Sequence, residues 1–375
     1  MNGVVMVSGD FVRTGGMDMP NFALAQHLAE CGVAVQLVAY RVAEELTKHP
    51  NVRWHSIRKP LKSYFLGAPL LDRGGQKIAR AHLASGDRVI VNGGNCRAAD
   101  VNWVHYVHAA YEPASAGSRL QRAKATLTHE VNLRQERSAI RAAQIVIANS
   151  ERTRRDLTEH VGVDDARIHT VYYGIDADRF QPASEGRRRQ LHDLFQWPDR
   201  PRVAFVGALG DRRKGFDTVF AAWSRLCQDP DWDCDLVVVG QGAELAAWRG
   251  RARSGAIGDR VRFLGFREDV PDVLAACDAL VAPTRYEAFG LGVLEALCTG
   301  IPALVSAGAG VAERYPSELS ELLLVDPNSV PELEAALKNW RTHHERLREE
   351  TRRLSITLRQ RTWQTMAQEI EALLD

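Results

Sequence analysis

Short apolar runs alternate with longer amphipathic stretches along most of this chain of 375 residues. Continuous apolar runs are typical of parallel strands that are covered by helices on both faces. A first series of predicted strands spans 4–7, 34–39, 88–91, 101–107, 144–148 and 168–172, and a second spans 202–206, 235–239, 261–264, 279–282, 302–305 and 321–325. Two such series predict an α/β fold with two doubly wound domains.

A polar stretch with proline and glycine, 181–189, separates the two series. Such stretches are typical of linkers, so we place the domain boundary near residue 185. The arginine triplet 187–189 within it is expected to be a solvated face. Residues 331–375 are predicted to be largely helical, with packing anchors at Trp340, Trp363 and Met366.

The composition is that of an ordinary globular protein, with 45% apolar and 25% charged residues and a net charge of +1, which gives no indication of a nucleic-acid partner. The charge is uneven, because residues 51–150 contain fifteen Lys or Arg against six Asp or Glu. Basic residues interleaved with aromatics such as Trp54, Tyr64 and Phe65 make this segment a candidate for peripheral docking on an anionic membrane. A solvated face and a site for an anionic acceptor are the alternatives.

The cysteines form no CxxC pair and no histidine-spaced metal pattern, so we interpret them as reduced core thiols of a cytosolic protein. They are Cys31, Cys96, Cys227, Cys234, Cys277 and Cys298. The first residues read as a strand and not as a signal peptide. No apolar run reaches about 18 residues, so no segment is expected to cross a membrane. A cytoplasmic location follows, with peripheral attachment at the inner face of the membrane as its variant.

The most informative motif follows the apolar run 279–282, where Glu287 and Glu295 are separated by seven residues. The intervening sequence predicts a turn at Gly290 and Gly292 that opens a helix. Amides at a helix N-terminus favour an anion, and nearby carboxylates can accept hydrogen bonds from sugar or ribose hydroxyls. Phosphate, sugar and ribose together describe a nucleotide-sugar. A chance pair of solvated glutamates is the alternative.

Two further loops follow predicted strands, where ligands bind in open α/β sheets. The first contains Gly15-Gly16, which lets the backbone approach a ligand closely, although a simple βα turn is an equal alternative. The second, 207–216, holds three adjacent cations that suit a diphosphate, with an exposed basic turn as the alternative. These cations are Arg212, Arg213 and Lys214. Neither loop matches a dinucleotide or P-loop fingerprint.

Two histidines and three aspartates are further candidates. His108 falls at the end of a predicted strand, where a ligand would lie, whereas His105 comes earlier and is interpreted as structural. A packed strand histidine is the alternative for both. The run Asp231-x-Asp233-x-Asp235 could hold a metal ion, but it precedes its strand on the side away from the expected site. A metal role is therefore not favoured.

Together these segments resemble the retaining glycosyltransferases of family 4, whose GT-B fold has two Rossmann-like domains facing across a cleft. The resemblance covers nearly the whole chain. It rests chiefly on 283–291 with Glu295, and also on the first βα unit with Gly15-Gly16, on 148–157, on 171–176 with Phe180, and on 261–266. It implies an acceptor-binding domain over 1–185, a donor-binding domain over 186–354, and a C-terminal helix over 355–375 that packs back on the first domain.

The resemblance also implies roles for the charged candidates. Glu287 contacts hydroxyls of the transferred sugar, and Glu295 holds the donor ribose. Lys214, helped by Arg213, neutralises the leaving diphosphate. His108 lies near the reacting sugar.

Backbone groups complete the implied donor site. Amides around Phe289, Gly290 and Leu291 meet the diphosphate, and Gly16 approaches it from the other domain. The resemblance implies no metal or other cofactor. The implied partners are a nucleotide-sugar donor and an acceptor glycan, lipid-linked sugar or small molecule, without nucleic acid.

Three departures from the family pattern leave donor choice open. Gly207-Ala208 stands where many relatives have Gly-Arg, so one phosphate-binding cation is replaced by Arg212 or Arg213. The glycine pair and glutamate that usually follow the next strand are altered in residues 308–313 of this chain. Tyr172-Tyr173 stands where Pro-Asn is common.

The implied reaction moves a sugar from a nucleoside diphosphate to an acceptor hydroxyl with retention of configuration. No enzymic nucleophile is evident, because Glu287 is assigned to sugar binding, so we favour front-face attack. The donor phosphate then helps to take the acceptor proton. A sugar-nucleotide epimerase and a non-catalytic nucleotide-sugar-binding protein are the alternatives. A nicotinamide dehydrogenase is disfavoured, since no GxGxxG motif opens either domain.

Overall fold

The computed structural model describes residues 3–83, 85–98, 100–112, 119–255 and 257–375, excepting the side chains of 119–125. The chain forms two compact units: unit 1 contains Met1–Gly174 and Arg361–Asp375, and unit 2 contains Ile175–Gln360. The boundary predicted near residue 185 thus lies inside unit 2.

Unit 1 is built on a parallel sheet. Its strands are β1 (Gly3–Val7), β2 (Asp10–Phe11), β3 (Ala34–Ala39), β4 (Arg41–Val42), β5 (Val52–Ser56), β6 (Arg88–Val91), β7 (Val101–Val104), β8 (Ile145–Ala148) and β9 (Ile168–Thr170). Seven of them form one sheet in the order β5-β3-β1-β6-β7-β8-β9, and β2 pairs with β4. The central strand β1 is buried along its whole length, as a continuous apolar run predicts.

The helices of unit 1 pack on the sheet that these strands form. Those in its first segment are α1 (Asp18–Glu30), α2 (Glu44–Thr47), α3 (Tyr64–Leu83), α4 (Arg119–Ala142) and α5 (Glu151–Asp156). Ser150 caps α5, because its side chain accepts a hydrogen bond from the N–H of Thr153 at 3.0 Å.

Strand β5 differs from the sequence-based prediction, which has no strand there. It lies at the edge of the sheet and pairs with β3, so its polar residues Arg53, His55 and Ser56 remain compatible with a strand. The predicted strand 101–107 ends early, at Val104. Its remaining apolar residue, Val107, is buried beside α4 and not in the sheet.

Unit 2 is a second parallel sheet. Its strands are β10 (Arg202–Val206), β11 (Asp235–Val239), β12 (Val261–Gly265), β13 (Ala279–Ala282), β14 (Ala303–Ser306) and β15 (Leu323–Leu324), in the order β12-β11-β10-β13-β14-β15. The chain moves outward from β10 to β12 and then returns to place β13 on the other side of β10. The loops after β10 and β13 are therefore neighbours, and a reversal of this kind is where open α/β sheets bind ligands.

Helices cover the sheet of unit 2. They are α6 (Glu185–Phe195), α7 (Phe216–Leu226), α8 (Leu245–Ser254), α9 (Val270–Ala275), α10 (Leu291–Cys298), α11 (Val330–Thr342) and α12 (His344–Arg359). Trp340 of α11 is buried in the core with Trp223 and Trp232, as its predicted anchoring role requires.

Arg188 corrects the expectation that the triplet 187–189 is solvated. The first and last arginines are exposed, but Arg188 is buried. Its guanidinium donates to the carboxylate of Asp278 at 2.7 Å and to the carbonyl of Cys277 at 2.9 Å. Because α6 packs against α9, the middle arginine faces the protein, and its charge is paired.

The last helix, α13 (Trp363–Leu374), belongs to unit 1 and packs against α1. Met366 and Ile370 are buried, and the guanidinium of Arg88 donates to the carbonyl of Leu374 at 2.7 Å. An added Cβ at Gly174 would lie 2.3 Å from the Thr362 carbonyl carbon, so only glycine lets the end of the first segment of unit 1 pack this closely against the start of its second segment.

Candidate functional site

The loops after β10 and β13 meet at Glu287. Lys214 Nζ lies 2.5 Å from Glu287 Oε2, although 73 residues separate the two in sequence. Arg213 Nη1 lies 3.5 Å from the same oxygen and donates to the carbonyl of Tyr286 at 3.0 Å. Two predicted cations and one predicted carboxylate therefore form a single cluster.

Glycine makes the close approach of these loops possible. Gly215 has a φ of 71°, and a Cβ at this position would lie 2.0 Å from the carbonyl oxygen of Pro283. Just before it, the Asp211 side chain accepts from the N–H of Arg213 at 3.0 Å and so begins the short 3₁₀ turn Arg212–Lys214. This turn directs Lys214 and Arg213 towards the Glu287 loop.

Helix α10 adds backbone donors beside Glu287. Gly290 precedes the helix with a φ of 112°, and the first amides of a helix have no acceptor within it. A Cβ added at Gly292 would meet no atom within 4 Å, so the space beside the first turn is open. Phe289 is buried, and its carbonyl accepts from the N–H of Val311 at 2.6 Å. The turn around Phe289, Gly290 and Leu291 is thus held in place and suits an anion.

Glu295 lies further along α10 and is partly buried. Burial raises the pKa of its carboxyl to about 8, and the positive charge of Arg179 opposes that rise. Within the described parts of the chain, its carboxyl group has no hydrogen-bond partner. The group is therefore available for a ligand hydroxyl.

His108 lies in unit 1, in the short 3₁₀ turn His108–Ala110 and not in a strand. Its Nδ1 lies 2.9 Å from Oε1 of Glu136, which also accepts from the backbone N–H of His108 at 2.8 Å. Glu136 is a buried residue of α4. Because a carboxylate only accepts, Nδ1 carries the ring proton and Nε2 is the ring atom left for a ligand.

Sequence reasoning missed Glu136. The carboxylate holds both the ring and the following turn, since it also accepts from the N–H of Ala109 at 3.2 Å. In the sequence it is one glutamate within a long polar helix, and no local motif marks it.

Other candidates have different surroundings. Gly16 of unit 1 follows Gly15, whose φ is 102°, and a Cβ added at Gly16 would meet nothing within 4 Å. His105 is buried, and burial lowers its pKa to about 3. It bonds to the hydroxyl of Tyr173 and lies 2.9 Å from Asn92 Nδ2, which agrees with its structural interpretation.

The aspartate run before β11 serves ion pairs. Asp233 bonds to Arg341 at 2.5 Å, and buried Asp235 bonds to Arg260 at 3.0 Å.

Across the described residues, the group with metal-ligand geometry is instead His27, Cys31 and Glu371. Cys31 is exposed, which corrects its interpretation as a core thiol, whereas the other cysteines are buried or half-buried.

The structure shows the surroundings of two positions at which the sequence departs from the family pattern. Ala208 is exposed in the loop before Arg213, and Arg213 occupies the contact with Glu287. Tyr173 lies in the core of unit 1, where its hydroxyl accepts from Asn149 Nδ2 at 3.0 Å. The second tyrosine of the pair is thus a feature of the unit 1 core.

None of the helices in the described ranges is both long enough and apolar enough to cross a membrane.

Both units of the chain match families of known proteins. Residues 14–179 match the family model described as Glycosyltransferase Family 4, and residues 200–342 match Glycosyl transferases group 1. The chain is 27% identical over 340 residues to the D-inositol 3-phosphate glycosyltransferase of Salinispora tropica, covering 83% of this chain and 70% of that protein. It is 29% identical over 247 residues to the mannosylfructose-phosphate synthase of Agrobacterium fabrum, covering 63% of this chain and about half, 53%, of the relative.

Solved structures agree on the fold. WaaG, a glycosyltransferase involved in lipopolysaccharide biosynthesis, superposes with a TM-score of 0.80 at 19% identity over 99% of both chains. Anabaena HepE, in complex with UDP and glucose, gives a TM-score of 0.71 at 17% identity over 100% of this chain and 99% of its own. With two Rossmann-like parallel sheets and family matches in both units, the chain belongs to the glycosyltransferases of family 4 and has the GT-B fold.

Proposed function

We propose that the protein is a retaining glycosyltransferase that transfers a hexosyl group from a nucleoside-diphosphate sugar to an acceptor hydroxyl. The observation that carries the proposal is the cluster of Lys214, Arg213 and Glu287 beside the N-terminus of α10. Two cations and the first amides of α10 suit a diphosphate, and the carboxylate of Glu287 and the carboxyl group of Glu295 suit sugar and ribose hydroxyls.

In this proposal, catalysis consists mainly of stabilising the leaving group. Negative charge develops on the diphosphate as the bond to the sugar breaks, and one preorganised donor is typically worth about 3 kcal/mol. Lys214, now paired with Glu287, exchanges part of that contact for the phosphate. The acceptor oxygen attacks from the face that the diphosphate leaves, and a phosphate oxygen takes the acceptor proton. With its cations supplied by side chains, the transfer is expected to proceed without a metal ion.

A thermal-shift panel of UDP, GDP, ADP and their sugar conjugates tests donor binding, with wild type beside Glu295→Ala. We expect one nucleotide to raise the melting temperature of wild type and to lose most of that effect in the variant. No shift with any nucleotide would contradict the proposal and favour a degenerate binding protein.

The products formed from the donor distinguish a glycosyltransferase from an epimerase and from a non-catalytic binding protein. A glycosyltransferase releases the nucleoside diphosphate in an acceptor-dependent reaction, and NMR of the product shows the retained anomeric configuration. An epimerase would convert the donor sugar without an acceptor, and a binding protein would leave the donor intact.

A surface on unit 1 supports peripheral attachment to an anionic membrane. Leu61 is 90% exposed and has a φ of 50°, a backbone conformation that is unfavourable for leucine. The exposed apolar side chains continue into the first turns of α3 at Tyr64, Phe65 and Leu66. Basic residues flank them at Arg58, Lys62, Arg73 and Lys77. Residues 113–118 of the basic segment 51–150, and the side chains of 119–125, lie outside the described residues.

Vesicle sedimentation tests this attachment. We expect binding to vesicles that contain anionic lipid, weakened by salt and by Leu61→Asp, and unchanged by Leu194→Asp at an exposed leucine of α6. The same absence of binding at low and high salt would exclude a membrane role for this surface.

A further inference from the structure

Two helices of unit 1 bring three metal-binding side chains together. His27 and Cys31 lie one turn apart at the C-terminal end of α1, and Glu371 lies on α13. Nε2 of His27 is 2.9 Å from Oε2 of Glu371 and 3.7 Å from Sγ of Cys31, and the three ligand atoms lie within 4.8 Å of one another. None of these residues belongs to the cluster around Glu287.

We propose that His27, Cys31 and Glu371 bind one divalent transition-metal ion, Zn²⁺ by preference, which joins the last helix of the chain to the first. Imidazole, thiolate and carboxylate are all ligands that Zn²⁺ accepts.

The spacing suits a tetrahedral ion. Bonds of about 2.1 Å to nitrogen and about 2.3 Å to sulfur, at a tetrahedral angle, place those two atoms roughly 3.6 Å apart. The observed separation of His27 Nε2 and Cys31 Sγ is 3.7 Å. The nitrogen and the carboxylate oxygen, now at hydrogen-bond distance, need to move apart by roughly 0.5 Å. A rotation of the partly exposed Glu371 side chain provides that movement.

The electrostatic surroundings favour a cation. Cys31 follows the last residue of α1, where the helix dipole is negative. The carboxylate of Glu371, whose ligand atom lies within 4.8 Å of the Cys31 sulfur, adds negative charge beside it. Binding converts the thiol to a thiolate and releases its proton to water, and the ring proton that His27 Nε2 now donates to Glu371 moves through water to Nδ1, which frees the Nε2 lone pair for the ion. A water molecule completes the fourth position on the exposed side of Cys31.

The consequence is a link between residues that are 344 positions apart in the sequence. Helix α13 already packs on α1 through buried side chains such as Met366 and Ile370. An ion bound only in the folded state stabilises unit 1 by mass action. Its role is structural, and it is independent of the proposed transfer reaction.

Cobalt substitution in the full chain tests the proposal. We expect one equivalent of Co²⁺ to give the strong visible absorption of a tetrahedral site together with a thiolate charge-transfer band. Both signals are lost in Cys31→Ser and retained in Cys227→Ser, a control at a half-buried cysteine of unit 2. Failure of these bands to form in wild type, or their persistence in Cys31→Ser, would overturn the site.

Melting temperatures provide a second readout that does not depend on enzyme activity. Micromolar Zn²⁺ is expected to raise the melting temperature of wild type and Cys227→Ser by a few degrees, but not that of Cys31→Ser or Glu371→Gln. Metal-free Cys31→Ser serves as the folding control, because an exposed side chain is exchanged for one of similar size. An equal rise in all four proteins would mean that Zn²⁺ binds elsewhere and would also contradict the proposal.

Discussion

Lys214 Nζ contacts Glu287 Oε2 at 2.5 Å because the strands that precede their loops, β10 and β13, are neighbours in the sheet of unit 2. The side chains are partly buried, which strengthens the attraction between them relative to a surface pair. A phosphate arriving at this position meets a cation that is already oriented.

Replacing Lys214 with Met is expected to lower kcat by about 10²–10³, the typical effect of losing one donor to the leaving group. The melting temperature should change little, because Arg213 still lies near Glu287. Initial rates at saturating donor measure the effect. Lys338→Met is the matched control, since Lys338 pairs with Asp229 at the surface of the same unit. Equal losses in the two variants would argue against a role in leaving-group stabilisation.

Two glycines of the Glu287 motif are expected to respond to alanine in opposite ways. Gly290→Ala should destabilise the protein by about 1–2 kcal/mol, because its φ is 112° and the new Cβ would lie 2.9 Å from Val311 Cγ1. Gly292→Ala lies within helix α10 with open space around it and should stabilise by about 0.5 kcal/mol. Urea unfolding midpoints measure both changes. The same sign for the two variants would show that backbone conformation does not govern these positions.

Glu295 is expected to make stability fall with rising pH. Its pKa in the folded protein is about 8, above the ordinary value of 4.5, so the unfolded chain releases this proton first. The free energy of unfolding therefore falls as the pH rises from about 4.5 to about 8. The fall is about 1.4 kcal/mol for each unit by which the folded and unfolded pKa values differ. Glu295→Gln should melt close to wild type at pH 5 and clearly above it at pH 9. Glu268→Gln, at an exposed glutamate, serves as the control. A wild-type melting temperature above that of Glu295→Gln at pH 9 would refute the raised pKa of Glu295.

Glu136 is expected to act as a positioning residue for His108. Replacing it with Gln exchanges one acceptor oxygen for an NH₂ group, so the side chain can no longer accept both from His108 at Oε1 and from the N–H of Ala109 at Oε2. We expect kcat to fall by about 10- to 100-fold with an altered pH–rate profile, because the ring loses its fixed orientation. Glu130→Gln, at an exposed position on the same helix, should leave both unchanged. A pH profile identical to wild type in Glu136→Gln would assign Glu136 to folding alone.

Local pattern alone predicted much of the fold. Central strands such as β1 and β11 are continuous apolar runs because both of their faces are covered, so their positions can be predicted from the sequence. The edge strand β5 carries no such pattern, since it is the last strand on its side of the sheet that the structure describes and its polar residues can remain hydrated.

The two-sheet architecture, the turn at Gly290 and the cation loop can be predicted from local sequence, because each depends on neighbours in the chain. Which of these features meet depends on how the chain folds in three dimensions. The order of strands brings Lys214 to Glu287, and helix packing places Glu136 beneath His108 and Glu371 beside His27. Such contacts join residues from distant parts of the chain, and their energies depend on burial and orientation, which local spacing does not encode.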